Sequence, residues 1–342
     1  MSAPAANVSA PSTSAPNVSR ASVHGALLAV QLAFASLSVA GRILVRDLDP
    51  LALALCRLAG AGVVLVALHH LRPTDAAPMT WRDRLAVAGC AALGIFGNQA
   101  LFLTGLRYTT ATHATLLVAT IPIFTALVGM IVFVLFPRAG VGEPARGGVL
   151  AGITIAVIGV VTLVLPDAIA PDADAGVDAW WGDLLVTANS LLYAIYLVLI
   201  RRYATKHGSL PVVAWGFTCG ALLCLPLGGP ALLEDAPTLT SESWMLVLYV
   251  VLVCTVFTYL ANAWALRHAE PSIVATYIFV QPIVAAALAW VFLHEVPSPR
   301  LAIAGVLVAL GVGLVVRTDA ASRASAQAKA MPDGVSEPPA AR

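Results

Sequence analysis

Set within long uncharged stretches of this 342-residue chain are side chains able to hold a small polar molecule. Gln31, Asn98, Gln99, Asn189, Asn262 and Gln281 bring amides, Thr120, Tyr193, Tyr259 and Tyr277 bring hydroxyls, and Phe102 and Trp264 bring aromatic faces. Amides and hydroxyls both donate and accept, so a set of them can satisfy an amine and a carboxylate together. His113 is the one imidazole in the candidate set, the side-chain type that serves as a proton switch. It stands near the end of its apolar stretch and reads as a hydrogen-bonded helix-end residue ahead of a proton carrier. No Asp or Glu falls in the middle of any apolar stretch, so proton coupling, exchange and uniport all stay open.

Covalent chemistry finds little support in the residues. There is no HExxH, no GxSxG, no paired-acid cluster and no Gly-rich phosphate loop, so neither enzyme activity nor a cofactor is expected. His69 and His70 are adjacent, and adjacent helical side chains point apart. The five cysteines, Cys56, Cys90, Cys219, Cys224 and Cys254, lack metal-site spacing and read as small core hydrophobes.

The elements that must position these side chains are membrane helices. Charged residues make up 11% of the chain and apolar residues 59%, whereas a soluble domain carries roughly 25% charged residues. Mean hydropathy is +0.88. The uncharged positions gather in runs of about twenty, the length a helix needs to cross roughly 30 Å of hydrocarbon. Ten spans are predicted, at 24–44, 50–70, 85–105, 112–135, 147–165, 182–200, 211–228, 244–265, 271–293 and 300–316. The expected class is an all-α integral membrane protein. The Ser/Ala/Pro-rich head, 1–22, and the tail, 318–342, cannot bury a core and are expected to be disordered.

Placing both termini in the cytoplasm puts fourteen basic residues there: Arg20, Arg72, Arg82, Arg84, Arg138, Arg146, Arg201, Arg202, Lys206, Arg267, Arg317, Arg323, Lys329 and Arg342. Only Arg42, Arg46, Arg107 and Arg300 fall on the other side, which satisfies the positive-inside rule. Arg57 lies within span 2, toward its outer end, and is expected to pair with Asp47 or Asp49 at the periphery.

The chain repeats itself. Leu106–Ile123, "LRYTTATHATLLVATIPI", lies without a gap on Leu266–Ile283, "LRHAEPSIVATYIFVQPI", at an offset of 160. These hairpins are spans 3–4 and 8–9, so the unit is five helices, 23–165 and 182–317, joined by an acidic external loop, 166–181. An odd number of crossings inverts the second copy, which is the signature of secondary transporters with substrate at the repeat interface. Polar stripes fall on spans 1, 3, 4 and on 6, 8, 9, the same positions in each copy. Those six are expected to line a central cavity, with spans 2, 5, 7 and 10 packing against lipid and one another. Pro122 and Pro282 occupy equivalent places in spans 4 and 9 and are expected to kink them.

At these residues the chain resembles the drug/metabolite transporter superfamily, specifically the EamA-type ten-helix transporters, over residues 24–316. The matching pieces are "FGNQALFLTGLRYTTATHATLLVATIPIFTALVGM", "YLANAWALRHAEPSIVATYIFVQPIVAAALAWVFLHE", a downstream "GVLVALGVGLVV", and "DPLALALCR" opening span 2. The resemblance implies export or exchange of small polar metabolites, often amino acids, from a bacterial inner membrane. Glu295 matches the family's Glu after span 9, and a helix-end structural role is the reading favoured for it. The small multidrug relatives depend on an acid in the first helix, which span 1 lacks. The expected partners are a small neutral or zwitterionic substrate and membrane lipid, not nucleic acid; a homodimer is compatible with this reading. The competing substrate class is lipophilic drugs, for which the lining is too polar.

Overall fold

The computed structural model describes residues 20–71, 77–136, 147–169, 179–268, 277–278 and 280–330. Among them there is no strand. Helix α1 spans Arg20–Leu44 and α2 Pro50–Leu71. Helix α3, Trp81–Ala91, runs through a π-helical turn, Ala92–Gly97, into α4, Asn98–Tyr108. Helices α5, Ala111–Val118, and α6, Ile121–Leu135, follow, then α7, Gly147–Ile169, α8, Ala179–His207, and α9, Ser209–Asp235. Helix α10, Ser241–Val251, runs through a second π-helical turn, Leu252–Phe257, into α11, Thr258–His268. Helices α12, Val280–Leu293, and α13, Pro299–Ala330, are the last of the described residues. Taken as continuous segments, nine stretches of the described residues are long and apolar enough to cross a membrane, and Val280–Leu293 is a shorter tenth. The fold is therefore all-helical, with the ten hydrophobic segments read from the sequence.

Two boundaries differ from the sequence reading. Helix α13 continues to Ala330, past residue 317, where a disordered tail is expected. The segment "AASRASAQAKA" is rich in Ala with Arg, Gln and Lys, all good helix formers. The proposed loop 166–181 is shortened by helix at both ends, α7 reaching Ile169 and α8 starting at Ala179. The head up to residue 19, positions 170–178, the tail from 331, and positions 271–276 and 279 of span 9 lie outside the described residues.

Packing follows the repeat. Helix α1 lies against α11 and α12, and α8 lies against α4, α5 and α6, so span 1 meets spans 8 and 9 as span 6 meets spans 3 and 4. Helix α2 packs along α9, and α7 along α13. The second of these pairs is a close crossing. A Cβ at Gly152 would stand 2.6 Å from the Gly311 carbonyl oxygen, and one at Gly311 2.5 Å from that of Gly152, so the backbones touch directly.

The offset of 160 extends to backbone detail. The π-helical turns begin at Ala92 and Leu252, and the capping threonines before α3 and α10 are Thr80 and Thr240. Each of these threonines accepts a hydrogen bond from the amide three residues on, at 3.2 Å, satisfying a first-turn donor that has no helical partner. Prolines act differently from expectation. Span 4 is broken rather than kinked, because α5 ends at Val118 and α6 starts at Ile121 with Pro122 in its first turn. Pro282 likewise falls in the first turn of α12. A first-turn proline forfeits no helical hydrogen bond, so neither residue strains its helix.

Candidate functional site

The candidate residues fall into three groups along the bundle. The middle group is built on the two π-helical turns. One residue more per turn than the α-helix shifts the phase of everything that follows, and such turns recur at functional sites. Asn98 and Gln99 come directly after the first turn, and Thr255 sits within the second, its hydroxyl bonded back to the Val250 carbonyl at 2.9 Å. The amides of Asn98 and Asn189 hydrogen-bond across the repeats, between α4 and α8. Tyr193 stacks on Tyr196 with ring centroids 5.7 Å apart, and its hydroxyl faces that of Tyr259. The Tyr259 ring in turn meets Phe217 edge-on at 5.2 Å. Gly94 makes room for this layer, since a Cβ there would stand 2.0 Å from that of Tyr196.

Arg57 belongs to this group, which corrects its assignment to the periphery. It is 3% exposed and bonds neither Asp47 nor Asp49. Its Nε and Nη2 donate to the Thr255 hydroxyl at 3.3 and 3.2 Å, and its Nη1 donates to the Gln99 side-chain oxygen. Asp49 is otherwise engaged: one carboxylate oxygen accepts from the Leu51 amide at 2.8 Å and the other faces Arg107 at 3.7 Å. Among the described residues no carboxylate lies within ion-pair distance of the Arg57 guanidinium. The sequence signal was available, since an arginine inside an apolar run must face protein or water, but the rotation of α2 was not.

A second group lies at the end of the bundle that carries the α4–α5 corner. His113 Nδ1 is 3.1 Å from the Asp183 carboxylate, whose other oxygen accepts from the Thr109 hydroxyl. Asp183 is fully buried, one turn inside α8. It escapes a search of mid-span positions because it stands beside the predicted start of span 6. At the same end Glu295 accepts from the Ala111 and Thr112 amides at 3.0 and 3.3 Å and from the Thr112 hydroxyl at 3.0 Å. From just past the end of α12 it caps α5, the helix-end role favoured for it, and opposes the positive pole of α5. His294, at φ 58°, turns the chain so that the Glu295 amide reaches back to the Ala289 carbonyl at 3.2 Å, a helix-ending turn.

The third group is at the opposite end. The His24 ring and the Tyr277 hydroxyl meet at 2.8 Å, and Tyr277 and Trp264 pack on Val23, Leu27 and Ala265. Nearby in the sequence order of the same ends, His207 and Lys206 of α8 reach the Asp83 carboxylate of α3 at 3.0 and 2.8 Å.

The remaining candidates are dispersed. Phe102 is part of the main apolar core. Thr120 lies at the span 4 break, its hydroxyl donating to the Leu117 carbonyl, which Ser190 also reaches at 3.1 Å. Gln281 is buried in the first turn of α12, and Asn262 is half-buried on α11. Gln31 is 3% exposed, and its side-chain oxygen has no hydrogen-bond partner among the described residues.

Comparison with known proteins agrees with this architecture. An uncharacterized transporter of Archaeoglobus fulgidus is 28% identical over 291 residues, 85% of this chain and 96% of the relative. A probable terminal-alkyne amino-acid exporter of Streptantibioticus cattleyicolor is 24% identical over 265 residues, 78% and 83% of the two chains. The uncharacterized inner membrane transporter YedA of Escherichia coli K12 is 25% identical over 273 residues, 78% and 81%. A crystal structure superposes with a TM-score of 0.55 at 20% identity, covering 88% of this chain and 99% of its own, and so shares the fold. The profile of the EamA-like transporter family matches twice, at residues 22–165 and 180–317, the two copies of the repeat. The chain belongs to the EamA-like transporter family.

Proposed function

We propose that the chain is a secondary exporter or exchanger of a small zwitterionic or neutral metabolite, an amino acid or close derivative, in a bacterial inner membrane with both termini cytoplasmic. The observation that carries the substrate class is Arg57: a buried cation whose hydrogen-bond partners, Gln99 and Thr255, are both neutral. An uncompensated buried charge is costly, and a substrate carboxylate is the anion that would offset it. Gln31 adds a buried acceptor without a donor, suited to an ammonium group. A dianion such as a sugar phosphate would exceed the single fixed cation, and a lipophilic drug would leave it unpaired.

The amino-acid exporter among the relatives and the inner-membrane location of another point the same way. Alternating access follows from two inverted halves whose exchange of conformation interconverts the open ends. A ligand that binds the folded state raises its melting temperature by mass action. Purified protein should therefore be stabilised by neutral amino acids and not by phosphorylated sugars. Stabilisation by hydrophobic cations alone would favour the drug-efflux alternative.

A further inference from the structure

We infer that Asp183 and His113 form a proton-binding site that ties closure of one end of the bundle to proton uptake. The inference rests on the transporter reading above but not on the identity of the substrate.

The geometry joins the two repeats. Asp183 comes from α8 of the second copy, and both groups that meet its carboxylate, the Thr109 hydroxyl and the His113 imidazole, come from the first. The carboxylate is fully buried, and an ionisable group inside a membrane bundle is functional by default once its partner is known. The backbones approach here: a Cβ on Gly182 would stand 2.5 Å from the Thr109 nitrogen and 2.8 Å from the Gly105 oxygen. Any parting of α8 from the α4–α5 corner therefore breaks both contacts to Asp183.

Several other charged groups among the described residues at this end have partners of their own. Arg107 faces Asp49, Arg42 donates to the Leu106 carbonyl, and Glu295 caps α5. Helix α6 carries no titratable residue, and α7 none between Gly147 and Leu165. Of the acids near the end of α9, Asp235 accepts from the Asp49 amide at 2.7 Å. Helix α3 contributes only its opposite end, where Asp83 meets Lys206 and His207. On α8 itself Thr187 bonds the Asp183 backbone oxygen, leaving the carboxylate to its two partners.

Proton uptake on the imidazole turns the His113–Asp183 contact into an ion pair and holds this end shut. Loss of that proton leaves a neutral imidazole against the carboxylate and loosens the seam. Six residues separate Asp183 from Asn189, about 9 Å along the helix, so a substrate among the middle group shares a rigid element with the proton. Charge placement by the positive-inside rule puts this end outside, so a proton entering there and leaving through the opposite mouth would drive export.

The test reads accessibility and needs no substrate. In full-length protein lacking its five cysteines, reconstituted in liposomes, Ser190→Cys reports on the seam between α8 and α5, where Ser190 is buried and its hydroxyl donates to the Leu117 carbonyl at 3.1 Å. Labelling by a small water-soluble thiol reagent is normalised to Ser241→Cys, an exposed position, which removes the intrinsic pH dependence of the thiol. Between about pH 8.5 and about pH 5.5, either side of the ordinary imidazole range, normalised labelling should fall about fivefold or more. His113→Gln, which keeps a donor toward Asp183, and Asp183→Asn should each flatten that profile while eluting as monodisperse protein. A flat profile without either substitution overturns the site, and so does an unchanged profile in a folded His113→Gln variant. Failure of amino-acid transport would leave this readout standing, so the two readings fail separately.

Discussion

Arg57 of the first repeat donates through Nε and Nη2 to the hydroxyl of Thr255, which lies in the π-helical turn of the second. The contact crosses the interface between the copies and fixes a cation among neutral groups. Hydrogen bonds to a charged group are worth about 1.5–3 kcal/mol each, so Thr255→Val should lower stability by about 2 kcal/mol in thermal or denaturant unfolding. Arg57→Met removes the buried charge with its donors, and such replacements are often neutral or stabilising. It should therefore melt no lower than the parent yet lose transport by about tenfold or more, the loss expected for one charge-assisted contact. A large drop in melting temperature on Arg57→Met would make the arginine a strut and not a receptor.

The π-helical turn at Ala92–Gly97 depends on a bare position. Gly94→Ala would drive its Cβ to 2.0 Å from that of Tyr196, against which no side chain can simply rotate away. Overpacking of this kind costs about 1–3 kcal/mol. Gly89→Ala, one turn earlier, meets nothing within 4 Å and should be neutral or stabilising. Equal melting temperatures for the two variants would show that the Tyr196 contact is not tight.

At the end of α12, His294 holds the left-handed conformation that glycine adopts at no steric cost. His294→Gly should leave the turn intact and change stability by less than about 1 kcal/mol in either direction. Glu295→Ala, which uncaps α5, should cost about 0.5–2 kcal/mol. If Glu295→Ala is silent in unfolding experiments, the cap contributes nothing to joining spans 4 and 9.

What the sequence carried well was the order of hydrophobic runs and the offset of 160, because both are one-dimensional patterns. The same offset appears in the structure as paired π-helical turns and paired capping threonines, which no hydropathy period reveals. Arg57 was misplaced because composition ranks a span as peripheral by its average, whereas the direction of one side chain depends on how α2 is rotated against α4, α9 and α10. Asp183 was missed for a related reason: a carboxylate beside a predicted helix start reads as exposed until Gly105 and Gly182 bring two helices into contact over it. Pro122 and Pro282 were found but misread, since a proline in a first turn begins a helix and does not bend one. Over residues 318–330 local propensity prevails over a composition that resembles disorder.

Cysteines introduced at Asn98, Asn189, Tyr193, Tyr259, Asn262 and Gln281 in the cysteine-free protein should react with small water-soluble thiol reagents at some point in the transport cycle. Val308→Cys, buried between α13 and its neighbours, should stay protected. Equal reaction of both sets would remove the distinction between the six polar spans and the remaining four.

The central claim is transport of a zwitterionic metabolite, and flux tests it most directly. Proteoliposomes loaded with radiolabelled neutral amino acids should release them faster than protein-free vesicles, and Arg57→Met should cut that excess rate by about tenfold or more. Robust movement of phosphorylated sugars with none of neutral amino acids would contradict the assignment.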